Sequence, residues 1–176
     1  MTPSPLIEEM DPDSLPSVLE GLADVLYRCV LAGASVGFVL PFSREDAAGF
    51  WRGLLPAFRS GARRLLVARW GGRVVGTVQV LLDTPPNGRH RAEIAKMLVH
   101  PDMRRRGLAR ALLVRAEDVA RRHGRGLLVL DTVPGGASEA LYRELGFQTT
   151  GMVPGYARST RGVLEDSLFM HKVLSG

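Results

Sequence analysis

One stretch constrains this chain more than any other: Met97-Leu98-Val99-His100-Pro101-Asp102-Met103-Arg104-Arg105-Arg106-Gly107-Leu108-Ala109. An apolar run ends at a proline, a short turn carries three consecutive arginines and a glycine, and Leu108, Leu112, Ala116 and Val119 then recur at helical spacing. A strand therefore passes through a tight turn into an amphipathic helix. The first N–H groups of such a helix have no partners within it and sit at the positive end of its dipole, so the turn favours an anion. Gly107 lets a pyrophosphate approach the backbone, small Ala109 leaves the next contact position clear, and Arg104, Arg105, Arg106 and Arg110 add positive charge. Further along the helix, Glu117 with Arg121 and Asp118 with Arg122 can form exposed pairs four residues apart; the alternative to an anion site is an arginine-rich helix cap with a solvated face.

The rest of the chain supplies a scaffold for that turn. Leu6 and Ile7 suggest a short first strand, and Leu15, Val18, Leu19, Leu22, Val25, Leu26, Cys29 and Val30 mark one buried face of a helix. Ser43 with Asp46 three residues later reads as a capping signal for a second helix, whose end Gly49, Gly53 and Pro56 leave open. Leu65 to Trp70 and Val74 to Leu82 are strand-like and joined by Gly71-Gly72, a tight-hairpin signal. A strand from about Arg91 to Val99, a helix from Gly107 to His123, a strand from Leu127 to Asp131 and a helix from Ala137 to Leu145 follow, an alternation that gives an α/β fold with some parallel strands. Phe147 to Val153 and Leu168 to Val173 read as final strands.

Length and composition narrow the function. The 176 residues, 45% of them hydrophobic, suit one domain spanning 1–176. The longest apolar runs are broken well before the 18 or so residues a membrane span needs, so no membrane partner is expected. The start, with Pro3, Pro5, Glu8, Glu9, Asp11 and Asp13, does not resemble a secretory signal, and the lone Cys29 excludes an internal disulfide; a cytoplasmic setting fits both. None of the four histidines has metal-ligand spacing, so no metal is expected, and His100 reads as a loop residue rather than a base. The net charge of +5 invites a nucleic-acid reading through Arg104 to Arg106, Arg110, Arg115, Arg121, Arg122 and Arg125. That stretch lacks interleaved aromatics, which counts against nucleic acid and leaves a polyphosphate ligand as the better match.

Arg104-x-x-Gly107-x-Ala109 after a strand resembles the acetyl-CoA signature of the GNAT superfamily of N-acetyltransferases. A second match lies downstream, where Leu141-Tyr142-Arg143-Glu144-Leu145-Gly146-Phe147 resembles the superfamily's L-Y-x-x-x-G-F helix end. The resemblance implies the GNAT fold: a mixed, mostly antiparallel sheet with a central parallel strand pair, flanked by about four helices. It implies acetyl-CoA as the acetyl donor, held by Met97, Leu98, Val99, Arg104, Arg105, Arg106, Gly107, Leu108, Ala109, Arg110 and Ser138. Many members carry Asn and Ala upstream of the second helix, where this chain has Gly135 and Ser138, so one polar coenzyme contact departs from the pattern.

Acetyl transfer to an amine needs a group that takes a proton from the ammonium and one that gives a proton to the departing thiolate. Glu93, on the strand before the turn and eleven residues ahead of Arg104, is the leading base; its spacing resembles the glutamate of some histone-acetylating members. An ion pair with Arg89, Arg91 or Lys96 is its structural alternative. Asp131 ends the run Leu127-Leu128-Val129-Leu130 at the carboxyl edge of a strand, where it binds the substrate ammonium or simply forms a turn. The resemblance makes Tyr142 the thiolate's proton donor, against a plain packing role. Direct attack in a ternary complex is expected, because Cys29 lies on a core face.

Within the superfamily, Gly33-Ala34-Ser35-Val36-Gly37-Phe38, Pro86-Asn87-Gly88, Arg91-Ala92-Glu93, Leu130-Asp131-Thr132 and Pro154-Gly155-Tyr156 resemble the tabtoxin resistance acetyltransferases. That branch implies Glu93, Asp131 and Tyr142 at the acetyl site, and an acceptor pocket shaped by the segments around Phe38 and Tyr156. The expected partner is a small-molecule amine, a toxin or antibiotic of the tabtoxinine-β-lactam kind among the candidates; a protein amine, or a coenzyme sensor without catalysis, is the alternative. GNAT enzymes are often homodimers.

Overall fold

Seven strands build one sheet in the computed structural model, which describes residues 5–174; Pro3 and both ends of the expected 1–176 domain lie outside them. In chain order the elements are β1 (Leu6–Glu9), α1 (Leu15–Leu31), α2 (Arg44–Gly53), α3 (Leu55–Arg59), β2 (Arg63–Trp70), β3 (Arg73–Leu81), β4 (Arg91–Val99), α4 (Leu108–Arg122), β5 (Leu127–Thr132), α5 (Ala137–Glu144), β6 (Gln148–Arg158) and β7 (Leu164–Val173). The sheet runs β1-β2-β3-β4-β5-β7-β6, antiparallel throughout except for the central β4–β5 pair. That pair is parallel because α4 carries the chain back across the sheet between them.

Local chemistry sets the boundaries. Gly71 and Gly72, at φ +55° and +82°, close the β2–β3 hairpin with Trp70 opposite Arg73. Ser43 caps α2 as its spacing predicts: its hydroxyl accepts the Asp46 N–H at 3.1 Å, and the Asp46 carboxylate accepts the Ser43 N–H at 2.8 Å. The break that Gly53 and Pro56 foreshadow falls at Leu54, and α3 continues beyond it, so the two form one kinked unit.

The sheet is covered on both faces. On one, α1, α2 and α3 bury Leu22, Val25, Leu26, Cys29, Trp51 and Phe58 against Leu65, Val67 and Leu98. On the other, Leu108, Leu112, Leu113 and Ala116 of α4, with Tyr142 and Phe147, cover Val78, Val80, Ala92, Ile94, Leu128 and Leu130. Each fully buried leucine contributes about 1.5–3 kcal/mol.

Two expectations need correction. Glu117 is not an exposed partner: it is buried, and it receives both Lys172 Nζ of β7, at 2.5 Å, and Arg121. Asp118 pairs with Arg115 and Arg121, whereas Arg122 reaches Glu9 of β1 at 3.1 Å. The final hairpin is also longer than its apolar pattern suggests. β6 lies at the sheet edge and is solvent-exposed along almost its whole length, so neither face imposes alternation on its sequence.

Candidate functional site

The site is made by an interruption of the sheet. Pairing between β4 and β5 is confined to Arg91–Glu93 opposite Leu127–Val129. Beyond that both strands continue, β4 to Val99 and β5 to Thr132, and they part. A bulge accompanies the separation, since β3 advances from Gln79 to Thr77 while β4 advances from Ala95 to Leu98. The inserted residue is Lys96, at φ +48°, whose carbonyl accepts the Thr77 hydroxyl at 2.9 Å. Alternation inverts there: Ala92 and Ile94 face α4, but beyond the bulge Met97 and Val99 pack on that side and Leu98 faces α1.

Register places the acidic residues. Arg63, Leu81, Glu93 and Val129 are successive partners across β2, β3, β4 and β5, and so share a face with Leu65 and its partner Gln79, the face under α1 and α2. Asp131, two residues past Val129, belongs to the same face. The two carboxylates thus flank the point where the strands divide. Among the described residues Glu93 has no ion-pair partner within 4 Å, so the pairing with Arg89, Arg91 or Lys96 is not made. Although the Glu93 side chain reaches solvent, partial desolvation between the strands pushes its carboxyl up and the Asp131 carboxylate adds to it, with Arg63 and Lys96 opposing. Asp131 is held by Ser167 of β7, whose hydroxyl donates to Oδ2 at 2.6 Å.

Tyr142 comes from the opposite side, buried on α5 with its ring edge-on to Phe147 at 5.6 Å. Gly146, at φ +89°, ends the helix, and the Phe147 N–H returns to the Tyr142 carbonyl at 3.0 Å. Burial, then the Asp131 charge, pushes the phenol up to about 12. Tyr142 is therefore both packed and a retained proton.

At the turn, Arg104 is extended, Arg105 has φ +63° and Gly107 has φ +76°. No side chain caps α4, whose first rung is Ala111 N–H to Gly107 O at 3.0 Å; a Cβ on Gly107 would meet nothing within 4 Å. The N–H groups of Leu108, Ala109 and Arg110 thus have no side-chain cap, a cradle that fits a phosphate. The arginines do not converge on it alike. Arg106 stacks over Trp70 at 5.5 Å, Arg110 pairs with Glu144, and Arg104 lies beside Cys29, opposing the rise that burial gives that thiol. Ser138 stands in the first turn of α5, beside Glu139, which accepts the Gly135 N–H at 2.6 Å. His100 is a buried anchor: Nδ1 accepts the Asp102 N–H, leaving Nε2 to donate to Asp24 of α1 at 3.3 Å.

The loop after Phe38 reaches the turn between β6 and β7, the Leu40 N–H donating to Thr160 O at 2.8 Å. Phe38 packs on Phe42 and Phe50 at 4.7 and 5.2 Å, and the Lys96 ammonium lies 5.7 and 5.5 Å from the Phe38 and Phe50 rings. Tyr156 stands exposed on β6, edge-on to Phe169 at 5.1 Å. Sequence reasoning missed Arg63 and Gln79 and cast Lys96 only as a counter-ion. The signal for Lys96 was its place within the apolar run from Ile94 to Val99, in a chain with only two lysines.

Comparison with known proteins agrees with this fold. Residues 33–147 match the sequence model of the Acetyltransferase (GNAT) family. An uncharacterized N-acetyltransferase from the hisH-hisA intergenic region of Azospirillum brasilense is 35% identical over 115 residues, 64% of this chain and 67% of that protein. The ribosomal-protein-alanine N-acetyltransferase of Brucella melitensis superposes with a TM-score of 0.78 at 27% identity, over 96% of this chain and 99% of that one. Salmonella typhimurium yncA, solved with its cofactor acetyl-CoA, superposes at 0.77 and 23% identity, over 97% and 94%.

Proposed function

The chain belongs to the GNAT family of acetyltransferases, and from that premise we propose that it transfers acetyl from acetyl-CoA to the amine of a small molecule, directly and within a ternary complex. The observation that carries the reading is the pair of carboxylates, Glu93 and Asp131, on one face of the sheet where β4 and β5 part, with β4 running on through a turn into an uncapped helix start that suits a polyphosphate. The Gly107 cradle and the backbone from Met97 to Val99, which β5 no longer pairs, would hold the coenzyme, with Arg104, Arg105, Arg106, Leu108, Ala109, Arg110 and Ser138 around it. When bound, acetyl-CoA supplies the thioester carbonyl that the amine nitrogen attacks.

The chain's own residues divide the proton work. Asp131, oriented by Ser167, receives the acceptor's ammonium. Glu93, its affinity for a proton raised by partial desolvation and by the Asp131 charge, takes that proton and leaves a neutral nitrogen. Tyr142, which keeps its proton across the working pH range, donates to the departing sulfur. Phe38 and Tyr156 line the acceptor's approach, and a toxin or antibiotic of the tabtoxinine-β-lactam kind is one candidate acceptor. The exposed β6 edge, with Met152, Val153 and Tyr156, suits a homodimer, which sedimentation would detect. The test is thiol release from acetyl-CoA across a panel of amines. Release should require both substrates and fall about 100-fold in Tyr142→Phe; coenzyme binding without turnover of any amine would leave only a sensor.

Likeness to the ribosomal-protein-alanine acetyltransferase favours a second reading, in which the acceptor is a protein's amino terminus. A peptide beginning with alanine in the same panel separates the two.

A further inference from the structure

Resting on the transfer reading, we propose that Arg63, Gln79 and Lys96 form a subsite for a carboxylate of the acceptor, so that the acceptor is an amine that also carries a free acid. Gln79 is completely buried on β3, its amide oxygen 3.5 Å from Arg63 Nη1 and its amide nitrogen without a hydrogen-bond partner. A buried donor left unpaired is costly and seldom kept. Arg63 and Lys96 are also without a carboxylate within 4 Å among the described residues, whereas Arg28, Arg44, Arg59, Arg64 and Arg69 on neighbouring elements each lie against one.

Lys96 is held there by construction. It is the inserted residue of the β4 bulge, in a left-handed conformation that a side chain rarely adopts, with its ammonium under Phe38 and Phe50. Desolvation and the neighbouring Arg63 make that charge costly; Asp131 and Glu93 offset part of the cost, and an incoming anion relieves more of it. The face is therefore ordered from positive to negative: Arg63 on β2, Gln79 on β3, Lys96 and Glu93 on β4, Asp131 on β5. With strands about 4.8 Å apart, cation and carboxylate lie within roughly 10 Å, the scale of a small zwitterion. Such a molecule places its ammonium between Glu93 and Asp131 and its acid on Gln79 and the two cations. A simple polyamine would instead bring positive charge onto Arg63 and Lys96.

The experiment compares the common L-amino acids with their carboxamides and decarboxylated amines, as acceptors and as ligands of the coenzyme-free protein by calorimetry. At least one free acid should bind and be acetylated with kcat/KM about 10- to 100-fold above its carboxamide, mostly through KM, as a charge-assisted hydrogen bond warrants. Arg63→Met, Lys96→Met and Gln79→Leu, checked for folding by circular dichroism, should each pull that preference toward unity; Arg59→Gln, in a surface pair with Asp13, should leave it intact. Equal use of acid and carboxamide, or an unchanged preference in all three variants, overturns the subsite. If no amine is turned over, the transfer reading fails, and calorimetry still decides the subsite: acid binding lost in the variants supports it, and no acid binding ends it.

Discussion

Glu93 and Tyr142 show how one pair of environments separates two proton roles. Desolvation and the Asp131 charge raise both groups, but the carboxyl starts from a low ordinary value and gives up its proton far more readily than a phenol raised to about 12. A base must be deprotonated to act, so kcat/KM should climb with pH through an ionisation above the usual carboxylate range, and Glu93→Gln should abolish that limb as well as slow turnover. A pH profile with the same acidic limb in the variant would remove Glu93 as the base. The residues legible in the sequence were those whose motif or strand-end position announces them: Gly107, Tyr142, Glu93, Asp131. Arg63 and Gln79 were not legible, because only strand register brings Gln79 beside Arg63, sixteen residues away. Lys96 was visible as a charge, yet nothing local indicates that a bulge turns it under two aromatic rings.

At the scale of elements, short signals were the most readable. The Ser43–Asp46 box caps α2 in the predicted manner, and Ser43→Ala should cost about 1 kcal/mol in chemical denaturation. The α4 start depends on Gly107, at φ +76°; Gly107→Ala puts a side chain in a conformation costing roughly 1–2 kcal/mol and adds a methyl group over the cradle. Coenzyme affinity by calorimetry should fall about 10-fold. Where the pattern misled, tertiary packing was the reason. Glu117 follows the spacing of a solvated helical pair, but β7 delivers Lys172 onto it and closes it from water. The end of β6 and the start of β7 escaped notice because an exposed edge hairpin carries no buried alternation to read.

For the molecule as a whole, much of the basic composition is paired within the fold. Arg64 and Arg122 converge on Glu9, Arg28 and Arg44 on Asp24, and the Arg125 guanidinium donates to the carbonyls of Leu82, Arg89 and Arg91. Exposed pairs of this kind contribute little individually, so raising salt from 0.05 to 0.5 M should shift the thermal midpoint by only a few degrees. A larger fall would show that the ion pairs hold the fold. The separation of β4 and β5 has a wider effect on the molecule's mechanics. Each strand is left there with a ladder on one flank only, and a guest bearing amides of its own can serve as the absent rung. Loading the protein with donor should therefore slow hydrogen exchange at residues 97–99 and 130–132, making stiffness in the middle of the sheet a readout of what it carries.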